Sequence, residues 1–434
     1  MYQKPVNAIR DSPEFAVSRY WPANSAPIKY THRTNWIELA WMAMTSSVVQ
    51  TPIARKISTH AVIRTVVASG SISRADIAKL TGLSKQTISD VVRDLEDDGW
   101  LKAIGQTDGR PGRNAIIYEI NARAGLAASI DLGGTKIAAA ICDLLGNVVA
   151  ETEVPTDRRG GMHLVNQFSD LVAELASAAG TTADKLRLVV LGSPGVLDPA
   201  TGHINVAPNI PGIDAINLRQ VFSDKMGIPV IVENDVNLAA QGERWRGHGV
   251  ETGNFAFIAL GTGVGMGIIA NGALLRGARG AAGEIAYLPI GGDAFDPGGF
   301  TLGTFETAVG SVAMLRRYIG FGGRNASTVA DLFAAFNAGE TSAVAAIEET
   351  ARLVAVAIAA IGATLDPELV ITGGSIGARP ELVNAIRGFL PRCTPYPPRI
   401  EISRFGNRAA LMGGMGIAVE RMHDDLFGVK LKDA

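Results

Sequence analysis

At 434 residues, 47% of them hydrophobic and 19% charged, and with a formal net charge of -2, the chain has the length of two or three globular domains and is too apolar for extended disorder. Cys142 and Cys393 are the only cysteines, too few for a disulfide framework and too far apart for a zinc cluster. The chain opens without an apolar signal-type segment and has no run of the length a membrane span needs, about 18 residues. A cytoplasmic protein with no membrane partner is expected.

Residues 1–50 scatter Pro5, Pro13, Pro22 and Pro27 around the apolar patch NWIELAWMAM and read as a poorly ordered leader, with Met42 and Met44 as alternative starts. Residues 51–122 have a different texture. Between residues 54 and 113, ten Lys and Arg face seven Asp and Glu, a local charge of +3 that points toward nucleic acid. The stretch SRADIAKLTGLSKQTISDVVRDLEDDGWL predicts two short helices around a turn. Ala78 is small where the helices meet, Gly82 suits the turn, and Ile88, Val91 and Leu95 recur at helical spacing. Ser84 is placed as an N-cap, leaving Lys85, Gln86, Thr87 and Ser89 at the start of a recognition helix. A plain helical hairpin is the alternative. Two strands expected at 100–104 and 115–120, joined by GQTDGRPGRN, form a basic wing in which Arg110 and Arg113 can enter a minor groove, and they favour the winged helix.

From residue 123 onward, β-rich runs alternate with amphipathic helices, which predicts an α/β architecture. SIDLGGTKIAAAICD reads as strand, turn and strand, in which backbone N–H groups at Gly133 and Gly134, with Thr135 and Lys136, can meet phosphate oxygens. FAFIALGTGVGMGIIANG repeats the pattern at Gly261, Thr262 and Gly263. Two such hairpins imply two lobes around a cleft: about 123–247 plus the C-terminal helix, and about 248–408.

The ordered series DLGGTK, GSPGVLD, APNIPG, VENDVNLAAQGE, GTGVGMGIIANGALLRGARGAAGE and VITGGSIG resembles the ROK family of repressors and sugar kinases, and the winged helix resembles its repressor branch. The resemblance implies a two-lobed actin/hexokinase-like domain behind a winged helix-turn-helix. It makes Asp235 the general base of a kinase, with Asn209, Asn234, Asp235, Glu284, Tyr287 and Glu306 around a sugar. It further places Asp131 and the two glycine turns at ATP phosphates and magnesium, and Gly373 and Gly374 under the adenosine. A bare helix cap at Asn234-Asp235 and a bare strand end at Gly373-Gly374 are the simpler readings of those residues taken alone.

In family members the Gly-Glu step is followed by a histidine and then a cysteine run, which hold a structural zinc. Here GEIAYLPIGGDAFDPGGFTLGTFE keeps Glu284 and Glu306, puts Tyr287 at the histidine position and contains no cysteine. No zinc is expected, because Asp293 and Asp296 are poor substitutes for thiolates. The loop is expected to rely on packing of Phe295, Pro297 and Phe300. The combined expectation is a repressor of carbohydrate genes that binds operator DNA as a homodimer or higher homo-oligomer and answers to a sugar or sugar derivative. No cofactor is required, though ATP and magnesium fit the pattern. An ATP-dependent sugar kinase with an attached DNA-binding domain is the alternative, and a non-sugar effector a third.

Overall fold

The computed structural model describes residues 52–106, 115–198, 201–205 and 210–427, which belong to one compact unit, Thr51–Ala434. The leader, the wing tip with Arg110 and Arg113, and Asn209 lie outside the described residues.

The chain begins with α1 (Pro52–Ser69), β1 (Ser71–Ser73), α2 (Arg74–Thr81) and α3 (Lys85–Asp97), then the hairpin β2 (Leu101–Gln106) and β3 (Ile116–Ile120). Helix α2 ends at Gly82, whose φ of 71° is a left-handed conformation that a side chain resists. Ser84 then caps α3 by accepting from Thr87 N, and α3 buries Ile88, Val91, Val92 and Leu95. The sheet order β1-β3-β2 completes a winged helix-turn-helix. One boundary needs correcting. Gly105 and Gln106, expected in the hairpin tip, still pair with Ile117 and Ile116, because a bulge between Ala103 and Gly105 absorbs one residue.

Two five-stranded sheets follow. The first contains β4 (Leu126–Leu132), β5 (Lys136–Asp143), β6 (Val148–Pro155) and β7 (Val189–Ser193), with helix α4 (Gly161–Ala178) before β7. A short ribbon, β8 (Val196–Leu197) with β9 (Ile204–Asn205), leads to α5 (Leu218–Met226), the last strand β10 (Val230–Asn234) and α6 (Asp235–Arg246). The second contains β11 (Phe255–Leu260), β12 (Val264–Ala270), β13 (Ala273–Leu274), β14 (Leu369–Gly373) and β15 (Arg399–Ile402). Their orders are β10-β7-β4-β5-β6 and β13-β12-β11-β14-β15. Each sheet joins an antiparallel hairpin, β4/β5 or β11/β12, to parallel neighbours, so one topology occurs twice. The outer face of the first sheet is covered by α4 and α5. After the short α7 (Pro297–Leu302), the second is covered by α8 (Thr304–Val309), α9 (Ser311–Gly320), α10 (Val329–Asn337), the long α11 (Thr341–Leu365), α12 (Gly374–Gly377) and α13 (Pro380–Phe389).

The last helix, α14 (Ala409–Phe427), returns to the first sheet and packs against α6. Glycines set that approach: a side chain at Gly413 would stand 1.7 Å from the Leu238 carbonyl oxygen, and one at Gly242 would stand 2.5 Å from that of Ala409. Leu411, Met415 and Met422 of α14 join Cys142 and Val190 of the sheet in a core that continues into Val62, Ile63 and Val66 of α1. Polar contacts reinforce the junction. The Arg187 guanidinium lies 5.4 Å from the Trp100 ring centre, and Arg123 Nη1 donates to the Ala179 carbonyl at 3.3 Å.

Candidate functional site

The cleft is built first from the junction of β10 and α6. Asn234 Oδ1 accepts from the backbone N–H groups of Val236 and Asn237, both at 3.0 Å, and its Nδ2 donates to Gly195 O at 3.0 Å. Asn234 thus serves as the N-cap of α6. Asp235 is half-buried; burial pushes its carboxyl pKa up, against N–H bonds from the helix start.

Glu233, absent from the sequence-derived candidates, organises this corner. Its side chain is buried; Oε1 accepts from Asn234 N at 3.0 Å and from Asn237 Nδ2 at 2.9 Å, while Oε2 accepts from Arg276 Nε at 2.8 Å. Arg276 belongs to the loop that leads to Glu284. At Gly283 the backbone takes φ 97°, and a side chain there would stand 1.9 Å from Met266 O, so only glycine lets the loop lie against β12 and present Glu284.

Five titratable groups influence one another here. Burial raises the pKa of Glu284, and the charges of Asp235 and Glu306 raise it further. Tyr287 is raised by burial and then by Glu284 and Glu306, while 42% of its surface stays open. Glu306 is raised by burial and lowered by its bond from Val264 N, 2.9 Å from Oε2. That bond ties a sugar-site candidate to the second glycine turn, where a side chain at Gly263 would lie 3.2 Å from the same oxygen. Asp131, at the end of β4, is pushed up to about 7 by burial and by Asp235, against the pull of Lys136.

Both glycine turns present exposed backbone: Gly134 and Thr135 in the first, Thr262 and Gly263 in the second. Thr156 supports the first through its hydroxyl, 2.7 Å from Gly133 O. Lys136 is paired with Glu153 at 2.7 Å, so its charge is shared. In the second turn Gly261 N donates to Gly263 O at 2.9 Å. Gly373 ends β14 against Phe257, and Gly374 opens α12 with φ 81° over Leu260 O. Asp131 and Asp235 are hard oxygen donors whose proximity raises the pKa of Asp131, and a hydrated magnesium ion fits such a pair.

The cysteine-free loop differs from expectation. Phe295 is 94% exposed and Phe300 86% exposed, so neither holds it. Glycines let the loop backbone pack closely on its neighbours instead. A side chain at Gly303 would stand 2.3 Å from Ala286 O, and one at Gly299 would stand 2.8 Å from Thr304 Oγ1. Asp296 caps α7 by accepting from Gly298 N, and Asp293 accepts from Phe295 N. With those carboxylates at backbone amides and Tyr287 in place of a histidine, these residues do not fit a tetrahedral zinc. Among the described residues, no group of three His, Cys, Asp or Glu side chains is arranged to hold a metal.

On the winged helix, Ser84 and Thr87 are engaged in the cap, with 2.8 Å between their hydroxyl oxygens. Lys85 and Gln86 are exposed and Ser89 is half-buried. The centre of the outward face also carries Asp90 and Arg93, which the sequence reading did not single out. Gln86 Nε2 donates to Asp90 Oδ2 at 3.1 Å and lies 3.2 Å from Oδ1, and Arg93 Nη2 donates to Asp90 Oδ1 at 3.1 Å.

A sequence profile described as the ROK family matches residues 127–421. The chain belongs to the ROK family. A MarR family profile matches residues 56–111, within the stretch ahead of the ROK domain. Over 395 residues the chain is 26% identical to a protein named xylose repressor from Caldicellulosiruptor bescii, covering 85% of this chain and 97% of that one. It is 32% identical over 308 residues to a glucokinase from Halalkalibacterium halodurans, covering 66% of this chain and 92% of the other. A crystal structure of a ROK family transcriptional regulator, a homologue of the E. coli MLC protein, superposes with a TM-score of 0.69 at 23% identity, over 86% of this chain and 98% of that one; it supports the fold. No helix among the described residues is long and apolar enough to cross a membrane.

Proposed function

We propose that the chain is a repressor of carbohydrate genes that binds operator DNA through its winged helix and senses a sugar in its ROK cleft. The observation that carries the reading is the cluster of Asp235, Glu284, Tyr287 and Glu306 in a chain whose helix-turn-helix shares a core with the first lobe. Carboxylates accept hydrogen bonds from ring hydroxyls, and Asn209 and Asn234 would add amide contacts. The names of the relatives, xylose repressor and glucokinase, favour an aldose. A homodimer or higher homo-oligomer would present two recognition helices to two half-sites, with Lys85, Gln86 and Ser89 at base edges and Arg110 and Arg113 in the minor groove. The ligand alters operator affinity only through unequal binding to two conformations, and lobe closure around the carboxylates supplies that inequality.

The test is operator binding measured with and without the aldose that most raises the melting temperature. Glu284→Ala and Asp235→Ala should each abolish the ligand response and leave ligand-free DNA affinity within about twofold, since neither lies in the winged helix. Mutants that respond like wild type would remove the cleft as the sensor.

The kinase reading is favoured by one observation, the influence of the Asp235 charge on Asp131, which lies in the strand that enters the first glycine turn. If ATP and magnesium bind, they supply the transferable phosphoryl group and neutralising charge, held by Asp131, Gly133, Gly134, Thr135, Lys136, Gly261, Thr262 and Gly263, with Gly373 and Gly374 under the adenosine. Tyr287 reshapes the sugar wall, and misplacement of that order costs roughly a hundredfold in rate, so turnover should be slow or absent. Robust phosphorylation of an aldose, lost in Asp235→Asn, would put the kinase first.

A further inference from the structure

The recognition helix α3 carries four acidic residues, Asp90, Asp94, Glu96 and Asp97, against Lys85 and Arg93, an unusual balance for a surface that meets phosphates. Two of the acids have structural partners. Asp94 pairs with Arg55 of α1, and Glu96 with Arg74 of α2 at 3.6 Å, so both charges help hold the three helices together. Asp90 has no such role. It lies on the face opposite Ile88, Val91, Val92 and Leu95, and it receives Gln86 Nε2 one turn before it and Arg93 Nη2 three residues after it. An acid there opposes DNA affinity, so its use must lie in what it orients.

We infer that Asp90 is a positioning residue that fixes the Gln86 amide for bidentate contact with an adenine. The inference rests on the DNA-binding reading above. A glutamine recognises adenine by accepting from N6–H through Oε1 and donating to N7 through one Nε2 hydrogen. The other Nε2 hydrogen faces away from that edge, and donating it to Asp90 leaves the reading edge open while stopping rotation about the last side-chain bonds. Arg93, held from the other side, keeps Asp90 in place and offsets its charge. The choice of base at this position is thus set partly by a residue that touches no base, at a cost in general affinity.

The experiment selects binding sites from a random duplex library with the full chain, then measures affinity for the selected site and for adenine-substituted sites. Gln86→Ala should lose the preference for adenine at one position per half-site, by roughly fivefold or more, as expected for loss of a bidentate contact. Asp90→Ala should lose the same preference while binding random duplex more tightly, with a steeper salt dependence. Asp90→Asn, which keeps an acceptor oxygen and removes the charge, should retain the adenine preference and still bind random duplex more tightly. Circular dichroism and melting temperature check that the variants fold. If Asp90→Ala keeps the full preference, or loses discrimination equally at every position, the inference fails. It also fails if wild type selects a site that does not depend on Gln86. If wild type selects no sequence, the DNA-binding reading fails with it.

Discussion

Glu233 Oε2 lies 2.8 Å from Arg276 Nε, and this ion pair joins the strand that presents Asn234 and Asp235 to the loop that presents Glu284. Glu233 is buried while Arg276 is half-exposed, so the pair is neither a surface ornament nor a fully desolvated bridge.

Arg276→Ala leaves Glu233 buried with amide donors and no cation. Full exposure of the partner would make the loss negligible and full burial would make it severe; the intermediate case predicts about 1–2 kcal/mol of destabilisation. Arg276→Ala should also weaken the ligand-induced rise in melting temperature, because Glu284 loses its fixed spacing from Asp235. Chemical denaturation with and without the aldose measures both, and a variant with wild-type stability and an unchanged ligand response would show that the pair positions nothing.

Asp131 gives a pH signature. Its folded pKa, pushed up to about 7, lies above the unfolded value of about 3.9, so the folded chain holds a proton that the unfolded chain releases between these values. Its stabilising contribution is complete below pH 4 and is lost as pH rises through 7. Asp131→Asn removes this dependence. Relative to wild type the variant should gain melting temperature between pH 5 and pH 8, and a difference independent of pH would overturn the assignment.

Gly413→Ala sets two effects against each other. In an exposed helix interior, alanine would gain roughly 1 kcal/mol over glycine. Here the added carbon would stand 1.7 Å from Leu238 O, a backbone atom that cannot rotate away. Overpacking costs about 1–3 kcal/mol or more, and the clash should win. Thermal denaturation of the variant should show a lower midpoint; a higher one would mean that α6 and α14 are less tightly apposed.

Treatment with a metal chelator should have no effect. Asp293 and Asp296 are committed to backbone amides and Tyr287 replaces an imidazole, so a chelator such as EDTA should leave the melting temperature unchanged, and elemental analysis should find no stoichiometric zinc. One zinc per chain, with loss of stability on chelation, would require ligands other than these.

Much of the fold was legible because its signals are local. Gly82 and Ser84 define the turn and the start of the recognition helix within a few residues, and the two glycine turns repeat one pattern in register with their strands. Strand β1 escaped because three residues cannot display alternation. Glu233 escaped because its partner Arg276 is 43 residues away in sequence. Asp90 was passed over because an acid looks unfavourable on a helix expected to meet DNA until its hydrogen bonds to Gln86 and Arg93 are seen. The packing assigned to Phe295 and Phe300 was wrong for a related reason: glycine contacts such as Gly303 with Ala286 are tertiary, and the pattern of large side chains does not reveal them.

The core that runs from α1 through the first sheet to α14 has a consequence for genetics. Leu411, Met415 and Met422 lie in the last helix, in neither the cleft nor the winged helix, yet they share packing with Val62, Ile63 and Val66. A screen for loss of repression should therefore recover polar substitutions at these methionines and leucine beside alleles of the recognition helix. Their phenotype would mimic a failure to recognise the operator, and only the amount of folded protein in the cell would tell the two classes of allele apart.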